Sequence, residues 1–255
     1  MSKTTASTAK SRDLTQGSIA KTMLLFALPT LGSSALQSLN GSINAVWVGR
    51  FLGEEALAAT ANGNILMFIL ISFVFGFGMA ATILIGQAMG RRNDTMVKRT
   101  MGTALGSIIP ISILVSAIGW LFAPLLLNLL GTPASAVELA LTYLRMIFVA
   151  MPVPLTFTLI MMALRGTGDS TTPLWFIIIS VIIDLILTPV LILGIGPFPK
   201  WGIFGSAFAT AVANALALIG MIVTMYLRGS VLTLKLPELR FLRADRDILK
   251  SMFSK

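Results

Sequence analysis

Long apolar segments alternate with short polar connectors along most of the chain. Each segment has the roughly 20 residues that a helix needs to cross a bilayer, and the connectors carry Gly, Pro and charged residues. Six such segments lie near residues 22–48, 58–85, 101–127, 140–163, 173–193 and 203–227. The pattern therefore predicts an all-α fold, namely a polytopic membrane protein built as a bundle of six transmembrane helices.

The two ends of the chain differ from this middle part. Residues 1–18 are rich in Ser, Thr and Lys, which predicts a cytosolic tail. Residues 19–228 predict the six-helix transmembrane lobe. Residues 229–255 are polar and basic, which predicts a second cytosolic segment.

The basic residues predict how the lobe is oriented in the membrane. Cytosolic connectors of membrane proteins carry an excess of Lys and Arg. With the N-terminus in the cytosol, 16 of the 19 Lys and Arg residues lie inside, and only Arg50, Arg145 and Lys200 lie outside. We therefore expect a multi-pass protein of the plasma (inner) membrane with both termini cytosolic. The net charge of +9 does not indicate a nucleic-acid partner, because apolar segments separate the basic clusters.

The composition narrows the class of function. Hydrophobic residues make up 56% of the chain and charged residues 11%, whereas soluble domains have about 25% charged residues. The chain has no Cys and no His, which excludes disulfides, thiol catalysis and the usual zinc sites. No segment carries a Ser/His, Cys/His or paired-acid arrangement suited to catalysis. We therefore expect neither an enzyme nor a bound cofactor.

Asp184 is the most informative polar residue, because no other acid lies so deep in a predicted segment. An ionisable side chain at the bilayer centre usually faces the bundle interior or a water-filled cavity. Ser180 and Thr188 lie four residues to either side and share its helix face. This stripe predicts a site that binds a cation, with sodium as one candidate, or passes a proton. The alternative is a neutral Asp that bonds to a neighbouring helix.

The first segment carries a second polar stripe. Its members fall within about 60° of each other on a helical wheel, and they are Ser33, Gln37, Asn40 and Asn44. An unpaired amide in lipid costs a few kcal/mol, so the stripe must face other helices or a cavity. We predict that Gln37, Asn40 and Asn44 line a substrate cavity, with hydrogen bonding between helices as the alternative.

The sixth segment repeats this pattern more weakly with Ser206, Thr210 and Asn214. Small hydroxyl groups often bond to a carbonyl of their own helix. The stripe is therefore equally consistent with a polar site and with local hydrogen bonding.

Proline and glycine positions predict the shapes of the helices. A proline inside a helix removes a backbone hydrogen bond and kinks the helix. Pro29 in the first segment is therefore either a hinge or a fixed bend, and Pro152 and Pro154 bend the fourth segment. Small residues four apart let helices approach closely, and two such motifs are Gly86-x-x-x-Gly90 and Gly102-x-x-x-Gly106.

Several short motifs occur in a set order and spacing. They are Leu28-Pro29-Thr30, Asn44-Ala-Val-Trp-Val48-Gly49-Arg50, Gly86-Gln-Ala-Met-Gly90, Ala163-Leu-Arg-Gly166-Thr-Gly168-Asp169 and Gly202-Ile-Phe-Gly205. Together they resemble the N-terminal half of the multidrug and toxic compound extrusion (MATE) family, over roughly residues 18–250. The resemblance implies one lobe of a twelve-helix fold whose two six-helix lobes surround a central cavity.

The resemblance also implies an activity and roles for named residues. Members of this family are antiporters that expel cationic or amphipathic compounds in exchange for protons or sodium ions. Asp184 matches the fifth-helix acid used for cation coupling, and Thr210 and Asn214 lie near the completion of its polar network. Pro29 matches the position where family members bend their first helix. The implied partners are a small-molecule substrate, the lipid bilayer and a second six-helix lobe, in the same longer chain or in a second half-chain.

The sequence departs from the family pattern at two polar positions. Many members carry an Asp where this chain has Asn44, and many carry an Asn where this chain has Ser180. The lobe therefore keeps one acid where many relatives have two. Two other functions stay open: a lipid-linked oligosaccharide flippase of the same superfamily, and a non-transporting truncated half. The residues from Leu236 onwards lie where a linker to a second lobe is expected to begin.

Overall fold

A computed structural model describes residues 19–234, 236–243 and 245–253, and these residues form helices joined by short turns, without a strand. The all-α prediction is confirmed. The predicted tail of residues 1–18 lies outside the described residues. The helices are α1 (Ile19–Leu52), α2 (Glu54–Gly90), α3 (Asp94–Leu129), α4 (Val137–Ala150), α5 (Pro152–Gly166), α6 (Thr171–Leu193), α7 (Gly202–Leu227) and α8 (Arg246–Phe253).

Most of the long helices are apolar enough to cross a bilayer. Among the described residues, α2, α3, α6 and α7 meet this condition singly, and α4 and α5 meet it when they are taken together as one bent span. α1 is not in this set, although its 34 residues are long enough to cross. The six predicted segments thus correspond to α1, α2, α3, the α4–α5 pair, α6 and α7.

The fourth predicted segment is two helices rather than one. α4 and α5 meet at Met151 with a bend of 49°. Pro152 and Pro154 lie in the first turn of α5, where a proline is tolerated but the preceding helix cannot continue through it. The predicted bend is therefore present, and it is a break in the helix.

The helices pack into a single bundle. α6 packs against α7 and α1, and α2 packs against α5. The hydroxyl of Thr82 on α2 donates to the carbonyl of Met162 on α5 at 2.9 Å. A Cβ atom at Gly166 would lie 2.9 Å from the carbonyl oxygen of Thr82, so a larger residue there would force α2 and α5 apart. Gly86, from the first small-residue motif, faces the same contact, whereas Gly90 faces open space.

The second small-residue motif has an unexpected neighbour. Gly102 and Gly106 on α3 pack against a short 3₁₀ helix of the C-terminal segment, Leu236–Leu242, and not against another membrane helix. A Cβ atom at Gly102 would lie 2.6 Å from the carbonyl oxygen of Phe241, and one at Gly106 would overlap the carbonyl group of Leu242. The basic C-terminal segment is therefore docked on the lobe.

Ion pairs and apolar contacts strengthen this docking. Lys98 on α3 pairs with Glu238 at 2.7 Å, and Arg99 pairs with Asp245. The hydrogen bond from the Arg99 guanidinium holds the pKa of the partly exposed Asp245 carboxyl below its usual range. Beyond this pair, Ile248 and Met252 of α8 are buried in the apolar core next to α2 and α3. The predicted cytosolic segment thus contributes to the folded lobe.

An acid-centred cavity as the candidate functional site

The centre of the site is the carboxylate of Asp184, which is 2% exposed in the middle of α6. Three neutral side chains from three helices donate to it. The Asn40 amide on α1 donates to Oδ2 at 2.8 Å, and the hydroxyls of Thr188 on α6 and Thr210 on α7 both donate to Oδ1 at 3.0 Å. One buried acid therefore ties α1, α6 and α7 together.

No cation neutralises this acid among the described residues, since the only ion pairs found there involve Glu238 and Asp245. A buried charge is normally paired or neutralised by a proton or a metal ion. The oxygen atoms of Asp184, Thr188 and Thr210 are of the kind that hard cations prefer. The arrangement can therefore take up either a proton or a small cation.

Two further polar contacts extend the network along α6 and α7. Ser180 donates to the side-chain oxygen of Asn214 at 3.4 Å, and the Asn214 amide donates to the backbone carbonyl of Thr210 at 2.9 Å. Ser180 therefore reaches Asp184 only through Asn214 and Thr210. Thr188, its counterpart one turn on the other side, contacts the acid directly.

A cavity of about 380 Å³ opens beside the acid. Such a volume lies within the range of about 300–1,000 Å³ that is typical of small-molecule sites. The polar part of its wall consists of Gln37, Asn40, Asn64, Tyr143, Thr158, Ser180, Asp184, Thr210 and Asn214. Met67, Phe68, Phe157 and Met161 are among the apolar residues of the wall. The cavity thus combines an apolar surface with one acidic side chain.

The polar side chains of the α1 stripe fall into two groups, since some line this cavity and the others form hydrogen bonds within or between helices. Gln37 and Asn40 line the cavity, whereas Asn44 does not. Asn44 lies one turn further along α1, where its side-chain oxygen accepts a hydrogen bond from Ser206 on α7 at 3.1 Å. Ser33 is buried and donates to the carbonyl of Pro29 in its own helix at 2.7 Å. α7 therefore covers the turn that carries Asn44, and a substrate-cavity role for Asn44 stays a prediction.

Pro29 lies inside α1, which is helical without interruption from Ile19 to Leu52. The hydroxyls of Thr30 and Ser33 donate to backbone carbonyls four residues earlier, at 3.1 and 2.7 Å. Such bonds often accompany bends in helices. The hinge role of Pro29 stays a prediction.

Three polar residues of the cavity wall are not among the site residues predicted from the sequence. Asn64 on α2, Tyr143 on α4 and Thr158 on α5 all line the cavity. Asn64 was predictable from the sequence. An unpaired amide in the second apolar segment costs as much free energy in lipid as the Asn40 amide does in the first. Tyr143 and Thr158 were not predictable in this way, since both residue types also occur on lipid-facing and packed surfaces.

Comparison with known proteins places the lobe in a family. The MatE family model matches residues 29–190. The "Probable multidrug resistance protein YoeA" of Bacillus subtilis is 38% identical over 91% of this chain and 50% of its own length. The "FAD transporter" of Shewanella oneidensis is 30% identical over 93% of this chain and 51% of its own length.

A solved structure shows the same fold. The outward-facing conformation of a multidrug resistance MATE family transporter of the MOP superfamily superposes with a TM-score of 0.85 at 20% identity. The superposition covers 97% of this chain and 53% of that one. The chain likewise spans about half the length of the curated relatives it matches. The chain therefore belongs to the MatE family, and it forms one helical lobe of that family's fold.

Proposed function

We propose that the chain is the N-terminal lobe of a secondary active antiporter that exports cationic or amphipathic compounds in exchange for protons or sodium ions. The observation that carries this proposal is Asp184, a buried carboxylate on the wall of a ligand-sized cavity, held only by neutral donors from three helices. The names of relatives as multidrug resistance proteins support the same conclusion.

Ion binding at Asp184 would act on the packing of the helices. An ionised carboxylate can only accept hydrogen bonds, whereas a protonated one is also a donor. Protonation therefore changes the contacts to Asn40 on α1 and Thr210 on α7, and a sodium ion would compete for the same oxygen atoms. An ion shifts a conformational equilibrium only by its difference in affinity for the two states. The contacts of Asp184 with Asn40 on α1 and Thr210 on α7 support a role of this acid in passing the difference to both helices.

The two other candidate functions have less support. A pyrophosphate-binding flippase would need a cationic cavity, but no Lys or Arg is among the described residues that line the acid-centred cavity. A truncated half that does not transport would have no use for a buried acid that only neutral donors hold in the centre of the bundle. Neither enzymatic activity nor a cofactor other than the coupling ion is part of the proposal.

The proposal includes a setting for the lobe. We place it in the plasma membrane with both termini cytosolic, and with a second six-helix lobe that closes the other side of the cavity. The basic turn Arg91–Arg92 between α2 and α3 and the basic segment after α7 then lie on the cytosolic side. This placement follows the rule that cytosolic connectors are basic.

The test is the neutral variant Asp184→Asn, made with the second lobe present. Asn cannot exchange a proton at physiological pH and carries no charge for sodium. We expect the variant to bind the compound but to lose ion-driven efflux by at least about tenfold, because the coupling ion no longer distinguishes the two states. The measurement is efflux of a fluorescent cation from cells or vesicles under an imposed pH or sodium gradient.

The matched control is Asp94→Asn, which removes an exposed acid in the first turn of α3. It should leave gradient-driven efflux unchanged at equal expression. Efflux by Asp184→Asn that still follows the ion gradient as in the wild type would refute the proposed role.

A further inference from the structure

A second, smaller pocket adjoins the acid-centred cavity. Its volume is about 160 Å³, and it is lined by Ser34, Gln37, Phe75, Thr158, Met161, Met162 and Arg165. Gln37, Thr158 and Met161 line both spaces, so that the two pockets share a wall. The smaller pocket lies below the range of about 300–1,000 Å³ of whole-ligand sites. It is therefore the size of a substituent of a ligand.

Arg165 gives this pocket a positive charge. It lies in the last turn of α5, seven residues after Thr158 and hence two turns along the same helix face. Long side chains in helices lean back toward the helix N-terminus, which directs the Arg165 side chain from the end of α5 toward Thr158. Asp184 lines only the main cavity and Arg165 only the smaller pocket, whereas Gln37 lines both.

The guanidinium of Arg165 is not neutralised by a described residue. Its Nε atom is buried without a hydrogen-bond partner, and no described carboxylate forms an ion pair with it. The nearest acid in sequence, Asp169, is occupied at the start of α6, where it accepts from the backbone of Thr171 and Thr172. A buried donor without a partner is costly, so the pocket favours a ligand that accepts hydrogen bonds.

The planar guanidinium fork matches the geometry of carboxylate and phosphate groups. We propose that this smaller pocket receives an acidic group of the transported compound, a carboxylate or a phosphate, while the rest of the compound occupies the acid-centred cavity. The lobe then favours compounds that carry a negative group together with a cationic or apolar body. The inference rests on the proposed function, since it assigns a part of the same compound to each pocket.

The test uses two dyes that differ by one acidic group. Rhodamine B carries a carboxylate next to a xanthene cation, and its ethyl ester carries the same cation without the carboxylate. Efflux of both dyes is measured for the wild type, Arg165→Gln and Arg165→Lys, each with the second lobe present. We expect Arg165→Gln to reduce export of rhodamine B roughly tenfold relative to the ester, because a charge-assisted hydrogen bond is lost. Arg165→Lys keeps the positive charge, so it should reduce export of rhodamine B less than Arg165→Gln does.

A second variant tests the pocket while Arg165 stays in place. Ser34 is exposed on α1, lines the pocket and bonds only to the carbonyl of Thr30 in its own helix. Ser34→Glu places a carboxylate that pairs with Arg165 and excludes the dye carboxylate, so it should reduce export of rhodamine B and spare the ester. The matched control is Ser42→Glu, an exposed α1 position outside both pockets.

The two dyes separate this inference from the proposed function. Export of neither dye by the wild type would refute the proposed function itself. Export of both dyes, with equal or no effect of Arg165→Gln on the two, would overturn only the inference. An equal effect on both dyes would instead assign Arg165 to a structural role or to a lipid headgroup, whose phosphate has the same chemistry but does not depend on the dye.

Discussion

At the scale of single residues, the proposed ion coupling depends on the groups that surround the buried carboxylate of Asp184. Asp184 receives donors from Asn40, Thr188 and Thr210, and each is a neutral group that holds the acid without cancelling its charge. A Lys or Arg at any of these positions would form a permanent ion pair and leave no charge for a coupling ion. The neutrality of the donors is therefore as important to the proposed mechanism as the acid itself.

The position of Asn44 leads to a prediction at this scale. Its side-chain oxygen accepts from Ser206 at 3.1 Å, one turn along α1 from Asn40. Asn44→Asp keeps this acceptor and adds a second acid one turn from Asn40. Two acids that interact titrate as a coupled pair, so we expect the pH or sodium dependence of efflux to shift measurably.

The measurement is the efflux rate against pH and against sodium concentration for the wild type and Asn44→Asp. Asn44→Gln serves as the control, since it alters the side chain without adding charge. Identical pH and sodium profiles for the wild type and Asn44→Asp would show that this turn of α1 is isolated from the ion site.

At the scale of the elements, the unusual contact is the one between α3 and the C-terminal segment. A stripe of glycines on α3 usually indicates a neighbouring membrane helix, but here it receives the backbone of the 3₁₀ helix Leu236–Leu242. The ion pairs Lys98–Glu238 and Arg99–Asp245 hold both ends of the contact. A movement of α3 would therefore carry the segment that follows the lobe with it.

The contact between α3 and the 3₁₀ helix leads to a prediction for the replacement of one glycine by alanine. Gly106→Ala would place a Cβ atom into the carbonyl group of Leu242, whereas Gly90→Ala adds the same atom where nothing lies within 4 Å. Overpacking costs about 1–3 kcal/mol, which would raise the open population of the segment roughly tenfold. We expect trypsin to cleave at Arg240 and Arg243 correspondingly faster in Gly106→Ala than in the wild type.

Gly90→Ala should be cleaved at the wild-type rate, which makes it the matched control. Equal cleavage of the wild type, Gly106→Ala and Gly90→Ala would mean that the segment is not held by this contact.

At the scale of the whole molecule, orientation in the membrane is the main prediction. The chain has no Cys, so an introduced Cys is the only thiol in it and no native Cys has to be replaced first. Ala134 between α3 and α4 and Lys200 between α6 and α7 are both exposed. We expect Ala134→Cys and Lys200→Cys to react with a membrane-impermeant maleimide on intact cells, because both connectors lie outside when the basic side is cytosolic.

Arg91→Cys in the turn between α2 and α3 is the internal control, and it should react only after the cells are opened. Labelling of Arg91→Cys but not of Lys200→Cys on intact cells would reverse the orientation. Labelling of Ala134→Cys and Lys200→Cys from opposite sides would contradict the even number of spans between them.

The class of fold, the approximate membrane segments and the depth of Asp184 within its segment all follow from the sequence alone. These features are local, because apolar length, helical period and the cost of a charge in lipid are properties of each segment alone. The bend at Met151 also followed from the neighbouring prolines. The sequence did not show that α4 ends there, because proline is tolerated in a bent helix as well as at a helix start.

Which residues meet depends on the tertiary packing of the helices. The bond from Asn40 to Asp184 joins positions 144 residues apart, and the turn that carries Asn44 is instead covered by α7. On a helical wheel Asn40 and Asn44 are nearly equivalent, so no local pattern separates them. The same reason applies to the glycines of α3 and to Arg165, whose neighbours come from other parts of the chain. Their roles depend on how the helices pack, which no single segment encodes.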